Sequence, residues 1–297
     1  MRFTKMQACG NDYIYVNCFE EKVEDPAGLA VRLSDRHYGI GSDGLILIEP
    51  SEKADAFMHM FNLDGSEGRM CGNGIRCVAK YIYDNRLIPE DRRHAVIDTR
   101  AGLRTVKLEV KDGLVSAVTV DMGTAVCTGH GRLGLDAGIS AGGSEAVLEY
   151  TAMDMGNPHA VIFLDENAKR LLATDHYTCE SGCVEDSFEE MDIRNAGMKL
   201  QSSPAFPDGV NVEFIEVTGR NEIRMRVWER GSGETLACGT GAAASAAAGC
   251  MAGKLDSPVL VHLAGGDITI DFDSQTGKCF MTGPAVTVFT GEVDVTM

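Results

Sequence analysis

Met70-Cys71-Gly72-Asn73-Gly74-Ile75-Arg76-Cys77 (MCGNGIRC) and, far downstream, Ala237-Cys238-Gly239-Thr240-Gly241-Ala242 (ACGTGA) carry one device twice. Each follows a strand-like run and sets a cysteine before a Gly-x-Gly turn. Each then leads into apolar or small residues at helical spacing, which predicts helices over 75–85 and 241–251. Strand, Cys-Gly-x-Gly and helix, recurring at two distant places, read most economically as a diverged internal duplication. Two domains related by pseudo-symmetry would then present equivalent helix N-termini to a shared cleft.

Outward from these segments, strands dominate. Residues 106–120 alternate apolar and polar on both sides of Lys111-Asp112-Gly113, a hairpin signal, and 268–280 repeat it around Gln275-Thr276-Gly277. Other strand-like runs are 45–48, 56–61, 160–163, 210–217 and 223–228, and 26–35 reads as a third helix. Glycine-rich 129–143 reads as a loop and 179–192 as an acidic excursion. The expected fold is α+β, with two pseudo-symmetric domains, each a mostly antiparallel sheet wrapped around a central helix. They would span 1–118 and 119–282, with a C-terminal strand at 286–295, within 283–297, returning to the first.

Composition narrows the function classes. Of 297 residues, 44% are hydrophobic, enough for a sizeable core. Forty-four acidic against 27 basic residues give a net charge of −17, which repels nucleic acid and anionic membranes and suits a small, partly cationic substrate. Lys5, Gln7, Asn11 and Asp12 interrupt any apolar leader, so a cytoplasmic protein is expected. Residues 236–253 lack charge but consist mainly of Ala, Gly, Ser, Cys and Thr, which predicts a buried small-residue helix rather than a membrane span. Ten cysteines in such a chain point to buried thiols, a metal site or catalysis. The sequence is silent on oligomeric state, and a homodimer stays open.

A cysteine in the first turn of a helix sits beside unpaired backbone N–H groups and the positive end of the dipole, which favours thiolate. The flanking glycines let amides approach an anion such as a carboxylate. Two such loops on opposite sides of an α-carbon would let one cysteine remove a proton while the other supplies one on the far face. The product is inverted, and no lysine-bound cofactor is essential.

Over nearly its whole length the chain resembles the diaminopimelate epimerase family. The likeness is carried by Gly10-Asn11-Asp12-Tyr13, by Asp35-Arg36-His37-Tyr38-Gly39-Ile40-Gly41-Ser42-Asp43-Gly44, and by Asn62-Leu63-Asp64-Gly65-Ser66-Glu67 before MCGNGIRC. It continues in Gly156-Asn157-Pro158-His159, Val210-Asn211-Val212, and Glu229-Arg230-Gly231 before GETLACGTGA. The resemblance implies a cofactor-independent epimerase that interconverts LL- and meso-diaminopimelate in lysine and peptidoglycan precursor biosynthesis. It implies Cys71 and Cys238 as the acid/base pair, assisted at the reacting amine by His159 and Glu229. Asn11, Asn62, Asn157, Asn211 and Arg230 would hold the substrate, chiefly its distal end, while amides of Gly72, Asn73, Gly239 and Thr240 take the reacting carboxylate. Gly44 departs from relatives that carry glutamine there.

Proline and hydroxyproline racemases share the two-cysteine plan but usually carry histidine where Asn73 stands, and they lack the Glu-Arg-Gly run. A non-enzymatic thiol redox or metal-binding protein has only cysteine abundance in its favour. His176, Cys179 and Cys183, with Glu185 and Asp186, show neither Cys-x-x-Cys nor His-Glu-x-x-His, so no metal is expected. Gly129-His130-Gly131-Arg132-Leu133-Gly134 matches a dinucleotide fingerprint as a string, but the glycines that follow cannot form the helix it requires. The other eight cysteines, Cys77 among them facing the core, read as structural thiols.

Overall fold

The computed structural model describes residues 1–135, 146–173 and 188–295. The chain divides into two compact units: Met1–Asp121 with Gly265–Ile268 and Phe280–Met297, and Met122–Ala264 with Thr269–Cys279.

In the first unit, β1 (Arg2–Ala8) and β2 (Asn11–Asn17) form an antiparallel hairpin. Its two turn residues, Cys9 and Gly10, both lie in the left-handed region, as a tight primed turn demands. Helix α1 (Pro26–Ser34) starts with proline in its first turn and Asp25 accepting from the Gly28 N–H, and it lays Leu29, Ala30 and Leu33 on the sheet. Then come β3 (Gly44–Glu49), β4 (Ala56–Asn62), β5 (Glu67–Gly68), α2 (Gly72–Asp84) and β6 (His94–Thr99). Strands β7 (Arg104–Lys111) and β8 (Leu114–Thr124) make the hairpin expected at 106–120, with Asp112 and Gly113 at positive φ. Residues 73–83 of α2 are all buried, including Cys77.

The second unit contains β9 (Val126–Leu135), β10 (Ala146–Asp154), β11 (Pro158–Phe163), α3 (Glu166–Leu172) and α4 (Ile193–Gln201). It continues with β12 (Asn211–Gly219), β13 (Glu222–Glu229), β14 (Gly233–Thr235), α5 (Gly239–Met251) and β15 (Val259–Leu263). Strands β16 (Gly266–Phe272) and β17 (Lys278–Pro284) are each divided between the two units, and β18 (Val286–Glu292) belongs to the first, where it pairs antiparallel with β1. At the second expected turn, the Asp273 N–H donates to Lys278 O at 2.9 Å.

The duplication is visible in the pairings. In the first unit β1/β2 is antiparallel, β2/β3 parallel, β3/β4 and β4/β5 antiparallel, and β4/β6 parallel. In the second, β10/β11, β11/β12, β12/β13, β13/β14 and β13/β15 repeat those senses in the same order. Parallel steps therefore interrupt the antiparallel ladder at equivalent places, and each Cys-Gly-x-Gly helix fills the crossover into the second of them. Helix α5 is buried from Gly241 to Gly249 and carries no large side chain there, so β10, β11, β12 and β15 pack close to its backbone. Among the described residues no helix is long and apolar enough to cross a membrane.

Three local expectations need correction. Residues 129–135 form a strand, not a loop: β9 pairs with β10, and Gly131 lies opposite Tyr150. A Cβ at Gly131 would fall 2.3 Å from the Tyr150 ring, so the aromatic side chain covers the space that glycine leaves on the strand. The helices α2 and α5 begin at Gly72 and Gly239, so their glycines are already helical. Helices α3 and α4 are additional to the expected elements: they are short, and their apolar faces carry few residues. The stretch 136–143, most of 179–192, and the group from His176 to Asp186 lie outside the described residues. Phe188 and Met191, at the end of the acidic stretch, are buried in the core of the second unit.

Candidate active site

In the first unit Cys71 is the N-cap of α2, with extended backbone (φ −134°, ψ 123°), and its sulfur accepts from the Gly74 N–H at 3.4 Å. The cysteine thus occupies the place where Ser or Asp more often satisfies an orphan amide. Its Sγ lies 3.4 Å from Asn11 Oδ1, while Asn11 Nδ2 donates to Asp43 Oδ2 at 2.7 Å. Behind Asn11, Arg36 reaches Asp12 at 2.8 Å and Asp43 at 3.0 Å, and Lys5 reaches Asp12 at 2.5 Å. Burial pushes the Asp12 carboxyl up, but hydrogen bonds and charge from Arg36 and Lys5 outweigh it and hold the group below the usual range. Asn62 ends β4, where its Nδ2 donates to Ser66 Oγ at 3.0 Å across a turn closed by Gly65 at positive φ. Gly44 pairs with Asn62, and a Cβ there would fall 2.1 Å from Phe61 O, so no glutamine side chain fits at this position without moving the sheet.

Arg76, one turn into α2, is 0% exposed and was missed as a functional candidate. It donates to Gly72 O at 3.2 Å, Asn73 Oδ1 at 2.9 Å and Pro284 O at 3.1 Å. A buried guanidinium thereby pins the Gly72-Asn73 segment, whose amides were expected to meet the substrate. An arginine flanked by Ile75 and by Cys77-Val78-Ala79 on a helix that reads as buried was the signal in the sequence.

The second unit repeats the arrangement. Cys238 is the N-cap of α5 (φ −128°, ψ 109°), and its sulfur accepts from the Gly241 N–H at 3.4 Å and meets Thr240 Oγ1 at 3.5 Å. Glu229 ends β13, and the Thr235 hydroxyl donates to it in a short hydrogen bond. Burial raises the Glu229 carboxyl above its ordinary value, and the nearby Glu213 charge adds to this. His159 on β11 is 0% exposed; its Nδ1 lies 2.7 Å from Glu213 Oε1 and its Nε2 lies 3.1 Å from Asn157 Oδ1. Gly156, at positive φ, turns β10 into β11 and delivers Asn157 and His159 in register. Asn211 opens β12 and accepts the Arg230 N–H at 2.8 Å, while the exposed Arg230 guanidinium donates to Asp208 O at 2.6 Å.

The simple expectation that a helix N-terminus favours thiolate does not hold at Cys238. Burial pushes this thiol well above its ordinary value, and the Glu229 and Glu213 carboxylates push it further. The Thr240 hydroxyl and Gly241 amide pull the other way and are outweighed. At Cys238 the net effect of this environment is to disfavour the thiolate. The first unit brings together Cys71, Gly72, Asn73 and Asn11, with Asn62 on the neighbouring turn. The second brings together Cys238, Gly239, Thr240, Glu229 and His159, with Asn157, Asn211 and Arg230 along the β10–β13 ends. Among the described residues no cluster of three metal-ligating side chains occurs.

Comparison with solved structures gives the fold first. A PhzF-family phenazine biosynthesis protein of Bacillus anthracis shares the fold at TM-score 0.68, with 16% identity over 99% of both chains. A probable proline racemase of Agrobacterium radiobacter does so at TM-score 0.66 and 16% identity, over 99% of this chain and 93% of that one. At such identities the likeness shows the fold alone. The sequence goes further: the family profile described as diaminopimelate epimerase matches residues 3–128 and 151–288. The diaminopimelate epimerase of Agathobacter rectalis is 46% identical over 309 residues, covering 99% of this chain and all of that protein. Those of Acetivibrio thermocellus and Methanococcus maripaludis are 43% and 40% identical, each over 99% of this chain and 99% or more of their own length. The chain belongs to the diaminopimelate epimerase family.

Proposed function

We propose that this chain is an epimerase interconverting LL- and meso-diaminopimelate, with Cys71 and Cys238 exchanging a proton at one α-carbon. The observation that carries the reading is the matched pair of cysteine N-caps, each accepting its own helix's third amide at 3.4 Å, in a chain of this family. The thiol of Cys238 supplies the proton when the thiolate of Cys71 removes one from the opposite face. The next turnover in reverse starts from the exchanged ionisation. As the C–H bond breaks, charge moves onto the carboxylate. There the free N-terminal amides at Gly72, Asn73, Gly239 and Thr240 act as an oxyanion hole, each such donor contributing on the order of 3 kcal/mol in a dry site.

His159 and Glu229 serve the reacting amine. Arg230 keeps N–H groups beyond the one given to Asp208 and suits the distal carboxylate, with Asn11, Asn62, Asn157 and Asn211 reading the distal amino-acid end. Proton transfer between thiols calls on no lysine-bound cofactor. The enzyme would act on a free small molecule in the cytoplasm, in the supply of lysine and peptidoglycan precursors. Chiral chromatography of LL-diaminopimelate incubated with reduced protein tests the reading. Appearance of the meso isomer supports it, and conversion of trans-4-hydroxy-L-proline instead of diaminopimelate would overturn it.

A further inference from the structure

Strand β12 alternates strictly around Glu213: Val212 and Phe214 join the core formed with α3 and α4, and Glu213 takes the opposite face. On β11, Ala160 and Ile162 likewise enter that core, while His159 takes the other face. The two polar side chains meet there, both 0% exposed, at 2.7 Å between Glu213 Oε1 and His159 Nδ1. Glu213 Oε2 has no hydrogen-bond partner, which is a costly way to hold a carboxylate if packing were its only role. The first turn of α5 rests directly on it: a Cβ at Gly241 would fall 2.6 Å from Glu213 Oε1. The carboxylate thus sits under the amide that caps Cys238.

We propose that Glu213 is a positioning residue for the second-unit half of the reaction. It fixes the His159 ring with Nδ1–H pointed at itself, and it holds a negative charge beneath the Cys238 loop. A carboxylate can only accept, so the Nδ1 proton stays on the ring and Nε2 becomes the atom that exchanges a proton. When Nε2 is protonated, Asn157 Oδ1 at 3.1 Å receives that hydrogen bond. The same charge adds to burial and Glu229 in disfavouring the Cys238 thiolate. The groups that face Cys238 are Glu213 from β12, Glu229 from β13, and the Thr240 hydroxyl and Gly241 amide from α5 itself. Burial together with the two carboxylates outweighs the two donors.

The inference rests on the epimerase reading for its meaning in turnover, but its test needs no substrate. In the wild-type protein, ¹⁵N NMR of the imidazole should show the Nδ1–H tautomer for His159. Iodoacetamide alkylation of reduced protein, followed by peptide mass spectrometry over pH 6–9, should then compare wild type with Glu213→Gln. Removing the charge should speed Cys238 alkylation at pH 7 about tenfold and leave Cys71 unchanged as the internal control. With diaminopimelate, Glu213→Gln should lose kcat by about a hundredfold with KM little altered. An Nε2–H tautomer in the wild type would overturn the proposal whatever the variant does. So would a folded variant whose two cysteines keep their wild-type alkylation ratio.

Discussion

Gly74 and Gly241 occupy equivalent places three residues after the two cysteines, and alanine should affect them very differently. At Gly241 the new methyl would fall 2.6 Å from Glu213 Oε1 and 3.1 Å from its Cγ. That side chain is fully buried and tied to His159, so relief to an ordinary 3.4 Å separation moves the carboxylate by most of an ångström and breaks the 2.7 Å bond. Overpacking of this kind costs about 1–3 kcal/mol, and the disturbed buried hydrogen bond adds about 1–3. Alanine's better helix propensity returns about 1 kcal/mol. The balance is a loss of about 1–5 kcal/mol, or a fall of roughly 2–20 °C in the unfolding transition. At Gly74 the nearest atom is the end of a flexible side chain, Ile46 Cδ1 at 2.8 Å, which can rotate away. Gly74→Ala should therefore stay within about 1 kcal/mol of wild type. Differential scanning calorimetry of both variants, with kcat measured alongside, is the assay. A Gly241→Ala protein as stable and active as Gly74→Ala would refute the packing argument.

Two further outcomes follow from buried groups in the first unit. Arg76→Met leaves the acceptors Gly72 O, Asn73 Oδ1 and Pro284 O without their donor. Urea denaturation should show a loss of about 2–4 kcal/mol, and activity should fall further than stability because the Gly72-Asn73 amides lose their support. Cys77 is fully buried, and desolvation pushes its thiol up to about 11. A thiol raised in the folded state stabilises the fold below the unfolded value near ~8.5 and loses that contribution as pH rises toward the folded value. Cys77→Ala should therefore flatten the alkaline decline in stability between pH 9 and 10.5, by up to ~1.4 kcal/mol per pH unit. An unchanged slope in urea titrations would remove Cys77 from the cause.

Much of this architecture could be read from residues because its signals are local. The Cys-Gly-x-Gly repeats located both central helices, and Lys111-Asp112-Gly113 located a hairpin whose turn needs two positive-φ residues. The glycines of 129–135 misled because glycine usually breaks strands, and only the cross-strand Tyr150 reveals why Gly131 belongs in one. Glu213 and Arg76 went unassigned for a related reason. Each was visible as a charge in the sequence, but Glu213 meets His159 from 54 residues away and Arg76 adds to its near partners Gly72 and Asn73 the carbonyl of Pro284, 208 residues away. The sequence leaves open which cysteine is ionised at rest, because helix-terminal amides are legible locally, whereas the burial and the Glu229 and Glu213 carboxylates that raise the Cys238 thiol arrive through tertiary packing. Glu229 stood in view before the second loop, yet its charge on the thiol becomes apparent only in the fold.

The most direct test of the two-cysteine account is proton NMR of reduced protein with LL-diaminopimelate in D₂O, run beside Cys71→Ala and Cys238→Ala. The account predicts deuterium at the α-position as the meso isomer accumulates in the wild type, and no epimerisation by either variant. Exchange and epimerisation persisting undiminished in both variants would contradict it and dismiss the cysteines as the acid/base pair.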